Sequence, residues 1–351
     1  MKRSGGFVFP ALLFTLLAFI PNSAAGQSYT VVADGLQGPR GLAFGPGGKL
    51  YVTQTGTGEN AKITEIQNPL SSSPSTRDLV TGLVAAGEEG ELVGPDGISV
   101  LGNGDIYTIM GLGNEKVGTS GLLLGHLLKF SQAGQMLDIA NVGDFDYDWS
   151  NGHFDLAPHD FPDSNPYGVL ALPGHTYVVD AATNTLNLVH PNGSIEILAY
   201  FPNNFLADAT PTCIAQGPDG AFYIGTLALV DSLVFGHKAV VYRVDPSQAD
   251  PNDMSRVLSI ATPWATGLWP INGCAFGPDG SFYASQFITT QRFSNGDVVK
   301  IPFATPDVRT SLTGGTLIFP AGVAVGADGS VFVSNGAAIV PVGQVVLLTN
   351  R

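Results

Sequence analysis

The sequence predicts an all-β fold arranged as a closed ring of six small antiparallel sheets. Three observations support this: one hairpin pattern recurs six times, 45 glycines and 24 prolines supply many turns, and long helical patterns are absent. The 351 residues suit six sheets of roughly 40–50 residues each, with insertions between them. Hydrophobic residues make up 44% of the chain, which is enough to fill a large core.

The recurring pattern is clearest over residues 269–285. Gly277-Pro278-Asp279-Gly280 is a turn, since proline presets φ, aspartate bonds its own backbone, and the last glycine tolerates positive φ. The six copies begin at Pro39, Pro95, Pro166, Pro211, Pro270 and Pro320. Their closing aromatic residues, which lie 46 to 70 residues apart, are Tyr51, Tyr107, Tyr177, Tyr223, Tyr283 and Phe332. Repeats of this length built of short strands predict a six-bladed β-propeller of four-stranded antiparallel blades.

Each repeat continues with two further predicted strands. The third strands are expected at 62–66, 126–130, 185–189, 240–244 and 297–301, and the fourth at 77–81, 137–142, 195–201, 256–261 and 308–312. The innermost strands are apolar on both faces and the outer ones carry Lys and Arg, as blades stacked about an axis require. Long loops are expected where insertions occur, at 111–124, 143–165 and 227–238.

The two ends of the chain are predicted to close the ring. The last repeat is followed by one strand only, at 344–349, so the sixth blade lacks its outer strand. A strand at 29–35 has no blade of its own and can fill that position, which removes the exposed sheet edges. One propeller domain over residues 27–351 follows.

Residues 1–26 have the pattern of a secretory signal peptide. Lys2 and Arg3 precede the apolar run 7–20, and small residues follow at 23–26, which predicts cleavage near residues 25–26. The alternative is a permanent N-terminal anchor, but the apolar run is short for a membrane span. Removal of Lys2 and Arg3 changes the formal net charge from −14 to −16. This acidity predicts a secreted or periplasmic protein that binds neither nucleic acid nor anionic membranes.

Cys213 and Cys274 lie on the predicted innermost strands of neighbouring blades. An exported protein permits a disulfide between them. However, Cys274 is offset by one position in the repeat relative to Cys213, and successive residues of a strand point to opposite faces. We therefore favour two buried thiols over a disulfide.

Functional residues are expected at the mouth of the central channel, where the innermost strands begin. The residues that start these strands are Arg40, Asp96, Tyr167, Thr212, Asn272 and Ala321. Arg40 and Asp96 belong to adjoining blades and can form an ion pair, which would leave a neutral polar ring. In that interpretation, the side chains only plug and hydrate the channel.

The insertion at 143–165 holds a second candidate. Asp144, Asp146, Asp148 and Asp155 occupy positions 1, 3, 5 and 12 of a segment that resembles an EF-hand calcium loop. Position 6 is Trp149 instead of the glycine such a loop needs, and position 12 lacks the usual glutamate. The alternatives are therefore a loop stabilised by Ca²⁺ and a solvated acidic lid with aromatic anchors.

Several segments resemble the ScyD/ScyE family, exported bacterial propellers related to NHL-repeat and TolB-like propellers. The resemblance is carried by residues 36–45, by Asp163-Ser164-Asn165-Pro166-Tyr167-Gly168 and by the run 179–184 that contains Asp180. Family members often read Gly-Pro-His-Asp before the second blade, whereas this chain reads Gly94-Pro95-Asp96-Gly97. The resemblance covers residues 28–349 and implies a six-bladed propeller outside the cytoplasm, without a settled activity.

The related regucalcin and gluconolactonase propellers bind a divalent cation at the channel mouth. That resemblance implies Asp96 and Asn272 as possible metal ligands, assisted by Thr212 or water, and oxygen ligands of this kind suit Ca²⁺ or Mg²⁺. Against this, the ring has one carboxylate only and contains Arg40. No Gly-x-Ser-x-Gly elbow, phosphate loop or dinucleotide motif is present.

Two classes of function remain open. The first is a non-catalytic binding or accessory protein whose channel mouth takes a small molecule, a glycan or a protein. The second is a metal-assisted hydrolase, lactonase or isomerase. We favour the first, with binding residues Arg40, Asp96, Asn165, Tyr167, Asp180, Thr212 and Asn272.

Overall fold

The computed structural model describes residues 29–87, 92–113, 123–203, 206–293, 295–338 and 343–349. It is a six-bladed propeller in which every blade is a four-stranded antiparallel sheet, as the repeats predict. The first strand is β1 (Tyr29–Leu36). Blades 1 to 3 contain β2 (Pro39–Phe44), β3 (Leu50–Gln54), β4 (Ala61–Gln67), β5 (Ser75–Leu83), β6 (Pro95–Val100), β7 (Ile106–Met110), β8 (His126–Phe130), β9 (Met136–Asn141), β10 (Pro166–Leu172), β11 (His175–Asp180), β12 (Thr185–Val189) and β13 (Ile195–Tyr200). Blades 4 to 6 contain β14 (Pro211–Gln216), β15 (Phe222–Thr226), β16 (Ala239–Val244), β17 (Thr262–Leu268), β18 (Ile271–Phe276), β19 (Phe282–Gln286), β20 (Asp297–Ile301), β21 (Thr310–Ser311), β22 (Val323–Val325), β23 (Val331–Asn335) and β24 (Gly343–Leu348).

The ring closes through the two ends of the described chain, which confirms the prediction. β1 pairs antiparallel with β24, with Tyr29 opposite Leu348 and Leu36 opposite Gly343. The buried side chains of Ala33 and Leu36 join a core cluster that spans blades 6 and 1. Because this pairing covers an otherwise open sheet edge, it holds the sixth blade in the ring.

Glycines allow the innermost strands to pack closely around the channel. A Cβ atom at Gly41 would lie 2.4 Å from the carbonyl oxygen of Asp96 in the next blade, closer than any real Cβ contact. Equivalent contacts of 2.2–2.8 Å to the next blade would arise at Gly97, Gly168, Gly273 and Gly322. The glycine of the repeat is therefore required by the approach of one backbone to the next.

Blade 4 carries Cys213 at this position, and Cys213 forms a disulfide with Cys274 of blade 5, with the Cα atoms 5.7 Å apart. The prediction of two free thiols was wrong. The offset of Cys274 does turn its side chain to the opposite face of its strand. However, neighbouring blades contact each other through opposite faces, so this orientation directs the two sulfur atoms together.

Within the described ranges, three helices replace expected loops or strands: α1 (Val142–Gly152), α2 (Leu229–Phe235) and α3 (Met254–Ser259). The fourth strand expected at 256–261 was wrong. Asp253 caps α3 by accepting the Ser255 N–H, and β17 begins only at Thr262. The strand expected at 308–312 is reduced to two residues.

The proposed signal peptide lies outside the described residues. Within the described ranges, none of the helices has the length and apolar character needed to cross a bilayer.

Candidate functional site

The start of each innermost strand contributes one residue to a small cavity on the propeller axis. Its volume is about 70 Å³, and the six predicted channel residues line it. They are Arg40, Asp96, Tyr167, Thr212, Asn272 and Ala321. Since a water molecule takes about 30 Å³, this space holds roughly two waters or one small polar group of a larger ligand.

A chain of hydrogen bonds crosses the channel mouth. Arg40 donates from Nη2 to the Leu92 carbonyl at 3.0 Å and from Nη1 to the Tyr167 hydroxyl at 3.3 Å. The Tyr167 hydroxyl in turn donates to Asn272 Oδ1 at 2.8 Å. Burial raises the pKa of Tyr167 above its ordinary value, although Arg40 opposes this, so the hydroxyl keeps its proton for donation.

The ring contains two charged residues, Arg40 and Asp96, and the side chain of Asp96 is the one that is fully buried. Its Oδ1 lies 3.7 Å from Arg40 Nε, which makes the ion pair expected from the sequence. Neither carboxylate oxygen has a hydrogen-bond partner of normal geometry among the described residues, although the backbone N–H of Gly94 lies near enough to lower the pKa of the carboxyl group slightly. Burial raises the pKa of Asp96 to about 7, and the charge of Arg40 only partly opposes this rise. The carboxylate therefore retains acceptor capacity that the described fold does not use.

Thr212 stabilises the contact between blades 4 and 5. Its hydroxyl donates to the Ile271 carbonyl of the next blade at 2.7 Å. Three hydroxyl groups that the sequence analysis overlooked do the same: Thr53 to Asp96 O, Ser285 to Ala321 O and Ser334 to Arg40 O. Each of these three follows the closing aromatic residue of its repeat by two positions, a signal that could have identified them.

Asp96 and Asn272 fit a divalent cation poorly as ligands. Asn272 Oδ1 already accepts the Tyr167 hydroxyl, and Arg40 places positive charge beside Asp96. A hard cation prefers several anionic oxygens and no neighbouring guanidinium. Among the described residues, no group of three or more His, Cys, Asp and Glu side chains is arranged to hold a metal ion.

Asn165 and Asp180, also predicted at the channel mouth, lie outside the residues that line the cavity. The Asn165 N–H donates to Asp180 Oδ1 at 2.9 Å, and Asn165 Oδ1 accepts the Leu112 N–H at 2.9 Å. Asp180 Oδ1 also accepts the N–H groups of Ala182 and Thr183. A Cβ atom on Gly111 would contact both Asp96 Oδ2 and Asn165 Oδ1, so Asn165 lies just behind Asp96.

The segment expected to resemble a calcium loop begins as helix α1, and its four carboxylates are not brought together. Asp144 accepts a hydrogen bond from Asn141 at the start of the helix. Asp148 and Asp155 are exposed. Asp146 is fully buried against blade 3, where Thr185 Oγ1 and Asn187 Nδ2 bind its carboxyl group.

Known structures share the fold at low sequence identity. A virginiamycin B lyase from Staphylococcus aureus, in a catalytically inactive form with quinupristin, is 15% identical with a TM-score of 0.50, covering 90% of this chain and 86% of that one. The aldose sugar dehydrogenase of Streptomyces coelicolor with bound PQQ is 13% identical, with a TM-score of 0.54 and coverage of 91% and 96%. A chain of a nidogen/laminin complex is 11% identical, with a TM-score of 0.51 and coverage of 82% and 86%.

No protein-family model matches the chain, and no curated protein matches its sequence. The structural neighbours include enzymes as well as a protein complex. At these identities the likeness establishes the six-bladed propeller fold alone.

Proposed function

We propose that this chain is an exported propeller of the ScyD/ScyE type that binds a ligand at the channel mouth without catalysing a reaction. The observation that carries the proposal is the Asp96 carboxyl group, which is buried at the axis with acceptor capacity left open. A buried polar group without a partner costs free energy, and a ligand that donates to it recovers that cost. Export is supported by the Cys213–Cys274 disulfide, because disulfides persist in oxidising compartments.

The small cavity limits how a ligand can bind. About 70 Å³ admits a hydroxyl or amide group but not a complete sugar ring. In this proposal, the donor group of the ligand enters the cavity and the rest lies on the loops around it. Arg40 and Asn272 then fix the orientation of the inserted group.

A non-catalytic role is preferred to a metal-assisted hydrolase for two reasons. The cavity has a single carboxylate, and Arg40 lies beside that carboxylate where a cation would have to bind.

The experiment is calorimetric titration with ethanolamine, glucosamine and glucose, which present donor groups of different charge. We expect at least one of the three compounds to bind and Asp96→Ala to weaken its binding at least about tenfold, since the variant removes the acceptor. Asp148→Ala, at an exposed carboxylate, is the matched control and keeps the affinity. Binding that Asp96→Ala leaves intact, or no binding of any of the three, contradicts the proposal.

A further inference from the structure

Two loops at the channel-mouth end of blades 4 and 5 expose hydrophobic side chains. Both loops leave the sheet beside the start of an innermost strand, because Thr226 pairs with Pro211 and Gln286 pairs with Ile271. We define the aromatic strip by the exposed hydrophobic residues of these loops and of the connection before β22, together with two half-buried rings beside them. Its members are Val234, Phe235, Trp269, Phe293, Ile318 and Phe319.

The aromatic strip continues from one loop to the next. The Gln291 side chain donates from Nε2 to the Val234 carbonyl at 2.6 Å, which ties the loop of blade 5 to the end of helix α2. The ring centroids of Phe293 and Phe319 are 6.4 Å apart. Trp269 and Phe319 precede residues that line the axial cavity by three and two positions, so the strip extends to the channel mouth.

Two aromatic residues at this strip have left-handed backbone conformations. Phe319 has a φ of 42°, and His237, whose ring centroid is 4.3 Å from that of Trp269, has a φ of 46°. Side chains rarely adopt such values, and residues held in them cluster at ligand-binding sites. This backbone geometry is an indication of function that is independent of the exposure of the rings.

Two positive charges beside the strip have no carboxylate partner among the described residues. Lys238 lies over the Phe235 ring, with Nζ 5.5 Å from its centroid, and the exposed Arg292 belongs to the loop of blade 5. The other described Lys and Arg side chains form ion pairs or, like Arg256 and Arg309, donate to main-chain carbonyls. In a chain with 29 acidic and 15 basic residues, two such charges in one place create a local site for anions.

The carboxylates of the same loops do not neutralise these two charges. Within the described residues of 227–238, 287–297 and 312–322, they are Asp231 and Asp297, and both are buried. Asp231 accepts the N–H of Ala207, and Asp297 accepts the hydroxyl of Thr313. The exposed surface of the strip therefore combines hydrophobic rings with positive charge.

We propose that the aromatic strip, with Lys238 and Arg292, binds an acidic polysaccharide whose sugar rings carry carboxylates. Exposed aromatic faces stack on the apolar faces of sugar rings, while the two cations pair with the carboxylates. Phe293 is 51% exposed and Phe235 is 47% exposed, so the rings form an open surface. An open surface suits an extended polymer, whereas small ligands are enclosed in pockets.

Two other anionic occupants fit this surface less well. Anionic membranes are bound by clusters of about four or more Lys and Arg, whereas the strip has two in an acidic protein. Peptides commonly add a strand to a sheet edge. The strip consists of loop residues and the end of helix α2, and none of its members belongs to a strand.

The experiment is calorimetric titration with tetragalacturonate, and with maltotetraose as a neutral sugar of the same length. We expect tetragalacturonate to bind, maltotetraose to bind at least about tenfold more weakly, and about 0.5 M NaCl to weaken the binding of the acidic sugar. Arg292→Gln and Phe293→Ala should each weaken it at least about tenfold, because one removes a charge and the other a stacking surface.

Matched variants exist for both substitutions. Arg77→Gln removes one positive charge from blade 1, and Phe154→Ala removes a ring that is 49% exposed, close to the 51% of Phe293. Both should keep the affinity for tetragalacturonate. Asp96→Ala should also keep it, since the strip does not depend on the cavity. The outcome is therefore independent of the titrations that test the channel ligand.

Hexaglutamate distinguishes a sugar site from a general site for anions. Binding of hexaglutamate as tight as that of tetragalacturonate would overturn the proposal, because the sugar rings would then contribute nothing. Absence of tetragalacturonate binding, or binding that Arg292→Gln and Phe293→Ala leave intact, would overturn it as well. Loss of binding in Asp96→Ala with both strip variants unaffected would assign the sugar to the cavity instead.

Discussion

Asp96 and Asp180 are both buried aspartates near the starts of innermost strands, yet their surroundings differ. Asp180 accepts backbone N–H groups from Asn165, Ala182 and Thr183, which ties the start of blade 3 to the turn after β11. Asp96 has only the backbone N–H of Gly94 nearby, without normal hydrogen-bond geometry, and its Oδ1 lies 3.7 Å from Arg40 Nε. The comparison separates a carboxylate that organises the backbone from one whose acceptor capacity is open to a ligand.

The largest expected effect comes from removing the carboxylate that organises the backbone. Asp180→Ala leaves three buried N–H groups without an acceptor, and each costs about 1–3 kcal/mol, so we expect the free energy of unfolding to fall by about 5 kcal/mol. Urea denaturation measures this change. Asp148→Ala, at an exposed position of α1, should stay within about 0.5 kcal/mol of the wild type. Equal stability of the two variants would show that the hydrogen bonds accepted by Asp180 do not stabilise the fold.

The second prediction concerns the pH dependence that the burial of Asp96 causes. The pKa is about 7 in the folded state and 3.8 in the reference state, so between these values the folded chain holds a proton that the unfolded chain has released. The stability contributed by this group is therefore present below about pH 4 and is lost as the pH rises to about 7. A shift of this size corresponds to about 4 kcal/mol.

The variant that tests this is Asp96→Asn, which keeps the shape of the side chain but cannot ionise. The difference in free energy of unfolding between variant and wild type should change by about 4 kcal/mol from pH 4 to pH 8, in favour of the variant at pH 8. Asp148→Asn serves as the control, and its difference from the wild type should not change in this way. A difference for Asp96→Asn that is the same at both pH values would show that Asp96 titrates normally.

The fold was predictable because its information is local. Each hairpin is encoded by a short segment of sequence with a recognisable turn. The close approach of neighbouring innermost strands requires a glycine, such as Gly41, at the same position of the repeat. The closure by β1 followed from counting strands in the last blade. The disulfide was missed because the orientation of side chains was considered within one blade, whereas Cys213 and Cys274 meet across two.

The site was predictable only in part. The repeat identified the six residues that line the cavity, including Arg40 and Asp96. It did not reveal that Asp96 is buried. The residues beside its side chain come from the loop before β6, which contains Val93, and from the loop after β7, which contains Gly111. The pairing of Asp146 with Asp180 depends on how an inserted helix docks on blade 3, and no periodic pattern encodes that contact.

The smallest predicted effect separates the hydrogen-bond chain of the channel from the Asp96 carboxylate. Tyr167→Phe removes the hydroxyl that accepts from Arg40 and donates to Asn272, so we expect a loss of about 1 kcal/mol in the free energy of unfolding. The pH dependence attributed to Asp96 should persist, because the phenyl ring still fills the same space and Asp96 stays buried. Urea denaturation of Tyr167→Phe at pH 4 and pH 8 measures both quantities, with Tyr147→Phe on α1 as the control. If Tyr167→Phe also abolished the pH dependence, the carboxylate and the hydroxyl would act as one unit, and Asp96 could not be treated as a separate acceptor.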